Sequence, residues 1–189
     1  MPNSYAAPQL VTSGMSRTET LECTGRSVSE VTISLREITD DNTDSVRALR
    51  TTPEQERFVS SVVNSLAEAA EVPQAKPWFR AVYADNLPVG FVMLAWNVDP
   101  QPPGIIGPWF LWKLLIDHRH QRLGYGHEVM RQIVELIRSQ GATELLTSYA
   151  LGDGSPAGFY EALGFVPTGA VDDDGEVLAR LGPLPTLAS

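Results

Sequence analysis

Apolar residues alternate at Val31, Ile33 and Leu35, the period of a half-buried strand, and predict a first strand there. Thr39-Asp40-Asp41-Asn42 breaks that pattern and offers cap chemistry for a helix through Val46 and Leu49. Thr52-Pro53-Glu54 reads as a second helix start, with cap, proline and first-turn acid in the favoured order. The helix it predicts carries Phe58, Val62, Leu66 and Ala69, and Pro73 and Pro77 end it. Trp78 to Tyr83 and Val89 to Trp96 then read as two strands around an Asp85-Asn86 turn, a hairpin by its turn residues. A loop with prolines and glycines, 99–107, leads to a fourth strand, Trp109 to Ile116.

The longest amphipathic run comes next. Val129, Met130, Ile133, Val134 and Ile137 keep the three-and-four spacing of a helix with one buried face, predicted over Glu128 to Arg138 and closed by Gly141. Glu144 to Tyr149 reads as a fifth strand. Ser155-Pro156 caps a short helix, Ala157 to Leu163, which ends at Gly164. Phe165 to Thr168 and Val177 to Leu181 form a last pair of strands around the acidic turn Asp172-Asp173-Asp174-Gly175. These elements predict one α+β domain over 30–189, a mixed and mainly antiparallel sheet flanked by helices. Residues 1–29, rich in Ser, Thr, Pro and Gly without a sustained period, are expected to form a mobile tail outside it.

Composition narrows the class. A chain of 189 residues suits one domain with a real core. No apolar run approaches a membrane span, and no basic start precedes an apolar core, so no membrane partner and a cytoplasmic location are expected. The single cysteine, Cys23, excludes an internal disulfide. The net charge of −9 argues against a nucleic-acid partner, which needs a basic face. The same charge is compatible with a cationic small-molecule acceptor and equally with a solubilising acidic surface.

The candidate chemistry lies between the fourth strand and the long helix, in Gln121-Arg122-Leu123-Gly124-Tyr125-Gly126. Amides at a helix start lack partners within the helix, and the helix dipole favours an anion there. Glycines admit close approach of such an anion. The nucleotide P-loop needs Lys-Ser/Thr after its second glycine, where His127-Glu128 stands. A dinucleotide fingerprint needs a third glycine, where Met130 and Arg131 stand.

The remaining pattern, Gln/Arg-x-x-Gly-x-Gly, resembles the pyrophosphate loop of the GNAT superfamily of acyl-CoA-dependent N-acetyltransferases. Phe159-Tyr160-Glu161-Ala162-Leu163-Gly164-Phe165 resembles that family's later Tyr-x-x-x-Gly-Phe signature, in the right order and at a suitable separation. The resemblance runs from about Glu30 to Leu181. The runs 77–85, 88–94, 144–149 and 152–156 further resemble bacterial spermine/spermidine (diamine) N-acetyltransferases, and are mostly scaffold. The long N-terminal segment and the proline-rich loop before Trp109 depart from that pattern and could reshape an acceptor pocket.

The resemblance implies acetyl transfer from acetyl-CoA to a small-molecule amine. It implies a pyrophosphate over Gln121, Arg122, Leu123, Gly124, Tyr125, Gly126 and the helix start at His127, with Arg122 adding a charge-assisted contact. It implies a pantetheine arm beside the backbone of Leu115 and Ile116, and a leaving thiolate protonated by Tyr160, a phenol whose ordinary pKa lies near that of a thiol. Ser155 reads first as a helix cap and, with Phe159, is expected near the cofactor. The alternative for Phe159, Tyr160 and Phe165 is that they simply anchor a short helix over the sheet. The general base stays open between Glu54, Glu56, Glu68, Asp117 and ordered water. His118, His120 and His127 have no Cys or fixed acidic partner, so no metal is expected. Trp109 and Trp112 read as sheet packing or as acceptor-pocket wall. A polyamine-like acceptor, an antibiotic or amino-acid amine, and a non-catalytic acetyl-CoA sensor all remain open, as does a homodimer.

Overall fold

A computed structural model describes residues 31–101 and 104–184; the expected N-terminal tail lies outside the described residues. The strands are β1 Ile33–Arg36, β2 Pro77–Ala84, β3 Leu87–Trp96, β4 Trp109–Ile116, β5 Leu145–Tyr149, β6 Val166–Val171 and β7 Val177–Leu181. They form one seven-stranded sheet in the order β1-β2-β3-β4-β5-β7-β6. Every neighbouring pair is antiparallel except β4 and β5, so the expected mixed, mainly antiparallel sheet is observed.

Helices cover both faces. The first two, α1 (Thr43–Arg47) and α2 (Val62–Glu71), bring Val46, Val62 and Ala69 against Ala81, Phe91, Met93 and Leu115 on one face. On the other face α3, Tyr125–Ser139, buries Val129, Met130, Ile133 and Ile137 against Val92, Leu94 and Leu111. There α4, Ala157–Ala162, adds Tyr160. Each aliphatic side chain buried this way is worth about 1.5–3 kcal/mol. Alternate strand residues go to alternate faces, and β3, covered on both, reads as a nearly continuous apolar run.

The strand predictions hold to within a residue or two at most ends, and β4 has the predicted limits. Two helix starts differ. The expected helix from Thr52 makes its start and goes no further: Gln55 Oε1 accepts from the Thr52 amide at 3.3 Å, and Gln55 and Glu56 amides donate to Thr52 O. Residues 53–59 then run as turns, and α2 begins only at Val62, capped by Ser61, whose hydroxyl accepts from Asn64 N at 3.2 Å. Tertiary contacts override the local signal: the Arg57 guanidinium donates to Asp153 O, and Phe58 packs beside Gly152 and Gly154. At the other end, α3 begins at Tyr125 rather than Glu128, because Gly124 takes φ 82° and turns the chain directly into the helix.

One irregularity shapes the centre of the sheet. Met93 pairs with Lys113 but Leu94 pairs with Leu111, so Trp112 is an extra residue in β4. Leu111 and Leu114 face α3, while Trp112 packs toward the α2 side and Lys113 Nζ reaches Glu68 of α2 at 3.0 Å. Two successive side chains therefore leave β4 on one face.

Candidate active site

β4 and β5 pair only at Phe110↔Leu146 and Leu111↔Thr147. Beyond that point both strands continue unpaired with each other, and a cleft of about 460 Å³ opens between them. Leu114 and Ile116 line its β4 side, Ser148 its β5 side, and Tyr160 and Phe159 of α4 line it from the α3 face. The helix-start loop closes one end with Gln121, Arg122, Gly124, Tyr125, Gly126 and His127. Loop and phenol, far apart in sequence, thus share one cleft with Ser155 and Phe159.

The helix start presents unpaired amides. The amides of Gly124, Tyr125, Gly126 and His127 head a 15-residue helix and donate to no acceptor among the described residues. The two glycines serve different ends. Gly124 supplies the left-handed turn, whereas a Cβ on Gly126 would sit 3.2 Å from the Phe159 ring, so that glycine lets α3 pack on α4. Glu128, in the first turn, is held by Arg131 at 2.7 Å and bonded by Gln132, which bring its carboxyl down to about 2 against a small opposing effect of burial. Its charge is thereby partly neutralised beside those amides.

Leu115 and Leu123 do not line the cleft. The Leu115 side chain is buried in the α1–α2 core, and its carbonyl oxygen points to β3, 2.5 Å from where a Cβ of Gly90 would lie. Strand alternation then turns the backbone groups of Leu114 and Ile116 toward the cleft. Ile116 O is already engaged by Gln121 Nε2 at 3.0 Å, and Gln121 also exchanges hydrogen bonds with Gln55 at 2.8 and 3.2 Å. Gln121 lines the cleft, but its side-chain amide ties the loop to β4 and to residue 55. Leu123 is exposed at the surface of the loop.

Tyr160 is 8% exposed, stacked on Tyr149 with ring centroids 5.5 Å apart and met edge-on by Phe159 and Phe165. Burial pushes its hydroxyl up to about 12; the adjacent Thr147 hydroxyl pulls the other way, and the Glu176 charge adds to the rise. Thr147 is the last residue of β5 paired with β4 and gives its proton to Leu111 O at 3.1 Å. The phenol therefore lies beside the point where the strands part. Ser155 both caps and braces: its hydroxyl donates to Ala150 O at 2.7 Å and accepts from Ala157 N at 3.2 Å.

A second cavity, about 490 Å³, lies against the α2 face and adjoins the first at Phe58, Val59, Trp112, Lys113 and Glu176. Glu56, Glu68, Asp174 and Glu176 bring carboxylates to its wall, with Arg57 and Lys113 as cations. Of the candidate bases, Glu54 is exposed and lines neither cavity. Asp117, 1% exposed, is committed elsewhere: burial works to raise its carboxyl, but hydrogen bonds from Arg119 and the Arg50 amide hold it well below the usual range. Trp109 is core, T-stacked on Trp96, while Trp112 lines both cavities. Among the described residues, no group of three or more His, Cys, Asp or Glu could hold a metal ion, and no helix is long and apolar enough to cross a membrane.

The carboxylate that sequence reading missed is Glu176. Its only signal in the chain is the acidic turn before β7, and turn chemistry alone accounts for that run.

A family model described as the acetyltransferase (GNAT) family matches residues 35–165. Among solved structures, an acetyltransferase from Thermus thermophilus is 18% identical with a TM-score of 0.59, covering 80% of this chain and 97% of its own. Aminoglycoside 6'-acetyltransferase type Ii is 21% identical with a TM-score of 0.58, covering 82% and 99%. A PaiA N-acetyltransferase from Thermoplasma acidophilum, solved with coenzyme A, is 15% identical with a TM-score of 0.51, covering 80% and 99%. No curated protein matches the chain.

Proposed function

The chain belongs to the GNAT family of acetyltransferases, acetyl-CoA-dependent enzymes that acetylate amines, and from that premise we propose that it acetylates a small cationic, polyamine-like amine by direct attack, with Tyr160 as general acid. The observation that carries this reading is the meeting of two cavities. One joins a helix start rich in free amides to the fork of β4 and β5, and the other, lined by Glu56, Glu68, Asp174 and Glu176, opens into it beside Trp112 and Lys113.

The residues fit acetyl-CoA. The amides from Gly124 to His127, with Arg122 beside them, suit its pyrophosphate. The cleft-facing backbone of Leu114 and Ile116 suits the amide-bearing pantetheine arm, so Leu114 takes the place expected of Leu115. When bound, the cosubstrate supplies an activated thioester and a thiolate leaving group. Tyr160 stays protonated at neutral pH because burial disfavours its phenolate, so it always has a proton to give. The acidic cavity wall attracts an acceptor with several positive charges. A cytoplasmic location suits a protein that draws on acetyl-CoA.

Lys113, whose Nζ lies 3.0 Å from Glu68, favours one second reading: an amino-acid-like amine whose carboxylate displaces Glu68 from it. Incubating the protein with acetyl-CoA and a panel of spermidine, an aminoglycoside, an amino-acid amide, a free amino acid and trifluoroethylamine, while following free thiol, separates these acceptors. Spermidine should be turned over fastest. Equal or faster turnover of trifluoroethylamine, uncharged at pH 7, at matched concentration refutes the cationic acceptor. Absence of thiol release with every amine refutes the catalytic reading.

A further inference from the structure

The two cavities share one carboxylate. Glu176 immediately precedes β7 and is the only Asp or Glu among the described residues that lines both the cleft and the acidic cavity. Its neighbours there are already committed or lie on one side. Glu68 is paired with Lys113 at 3.0 Å and accepts from Ser60 at 3.1 Å, while Glu56 and Asp174 line the acidic cavity alone. Glu176 enters no ion pair among the described residues. Its one side-chain partner is the Ser148 hydroxyl, which donates to Oε2 at 2.8 Å from β5.

The position is held firmly. Asp172 accepts the Glu176 amide at 2.9 Å and the Asp174 amide at 3.1 Å, and its own amide donates to Glu176 O at 2.9 Å. The turn therefore delivers Glu176 at a fixed height beside β7, and β7 lies directly beside β5. One carboxylate oxygen is oriented by Ser148, which leaves Oε1 free of any other side chain among the described residues.

We propose that Glu176 is the proton acceptor for the attacking amine, a role that rests on the acetyl-transfer reading above. An ammonium arriving from the acidic cavity gives its first proton to Glu176, which later releases it to water. The freed nitrogen lone pair forms the new N–C bond while the C–S bond breaks, and Tyr160 gives its proton to the departing sulfur. The nitrogen's second proton restores Tyr160. Each heavy-atom bond made is matched by one broken, and the net release is one proton. Acid and base must both reach one reacting centre, and Tyr160 and Glu176 line the same cleft.

The test uses the full chain with acetyl-CoA and two probe amines at pH 7. Spermidine arrives protonated and needs a base, whereas trifluoroethylamine arrives neutral and does not. Glu176→Gln keeps an acceptor for Ser148 and should lower kcat/KM for spermidine by about 10²-fold or more, with trifluoroethylamine changed less than about threefold. Calorimetry on the free protein should show weaker spermidine binding and unchanged CoA binding. Ser148→Ala, which removes only the orienting hydroxyl, should cost spermidine turnover much less than Glu176→Gln. Parallel loss with both amines, no loss with either, or an equal loss in Ser148→Ala overturns the assignment. Wild-type protein inert toward every amine overturns the parent reading and this role with it, whereas an active wild type with an indifferent Glu176→Gln overturns the role alone.

Discussion

Replacing Tyr160 by Phe removes one oxygen and leaves the ring. The stack on Tyr149 and the edge contacts with Phe159 and Phe165 are kept, so the structural cost is the buried hydroxyl's interaction with Thr147. That is worth about 1 kcal/mol, or a fall in Tm of roughly 2–4 °C for a chain of this size. The catalytic cost follows from the raised pKa. A phenol at about 12 is a weaker acid than a thiol, whose ordinary pKa is about 8.5. Full transfer to a free thiolate would run uphill by about 5 kcal/mol, at about 1.4 kcal/mol per unit. As the proposed acid, Tyr160 would therefore help by sharing its proton as charge develops on sulfur, before a thiolate is free. Loss of such an acid should lower kcat by about 10²-fold, about 2.7 kcal/mol, with acetyl-CoA affinity unchanged. Since the phenol ionises only near 12, the ratio of wild-type to variant kcat should stay constant from pH 7 to about 10. Thiol release across that range, with calorimetry and a melt on each protein, makes the measurement. A ratio that shrinks toward pH 10 would mean that the hydroxyl ionises there, and kcat within about threefold of wild type in a stable variant would remove the acid altogether.

Gly124→Asp forces a side chain onto a residue with φ 82° and puts a negative charge at the head of α3; CoA affinity by calorimetry should fall at least about tenfold, or 1.4 kcal/mol, and wild-type affinity would refute the anion site. Asp117→Asn should cost about 1.5–3 kcal/mol at pH 7, because the buried carboxylate bonds Arg119 and the Arg50 amide. The folded-state pKa of Asp117 is depressed, so its contribution is present above the unfolded value near 4 and is lost as pH falls below it; the Tm gap between wild type and Asp117→Asn should close on acidification, and a gap that widens would refute the account.

What sequence patterning could show was whatever depends on near neighbours. The apolar run after the proline-rich loop delimits β4, the three-and-four spacing marks α3, and Ser155 sits where its cap chemistry suggested. Three things depended on distant residues and were hidden. The turn signal at Thr52 is real, yet Arg57 and Phe58 make better contacts with residues 152–154 than a continued helix would offer. Gly126 also packs closely against Phe159, on a separate helix, a second reason for a glycine there. Glu176 gained its position because β7 inserts between β5 and β6, a strand order that no local pattern announces.

The extra residue at Trp112 explains why the cleft and the acidic cavity meet where they do. In a regular strand beginning at Leu111, position 113 would share the face of Leu111, under α3. Lys113 would then place its ammonium among Val92, Leu94, Val129 and Ile133, with no carboxylate of that cluster to receive it. The bulge moves Lys113 to the α2 face, where Glu68 and Ser60 meet it, and restores Leu114 to the α3 side. It also follows directly on Leu111, the last residue of β4 paired with β5. One residue therefore separates the end of that ladder from the switch of faces. The cleft opens between the strands at the same height at which Trp112 and Lys113 turn toward the acidic cavity. A thioester in the fork and an amine beside Glu68 and Glu176 would approach each other across that single step of β4.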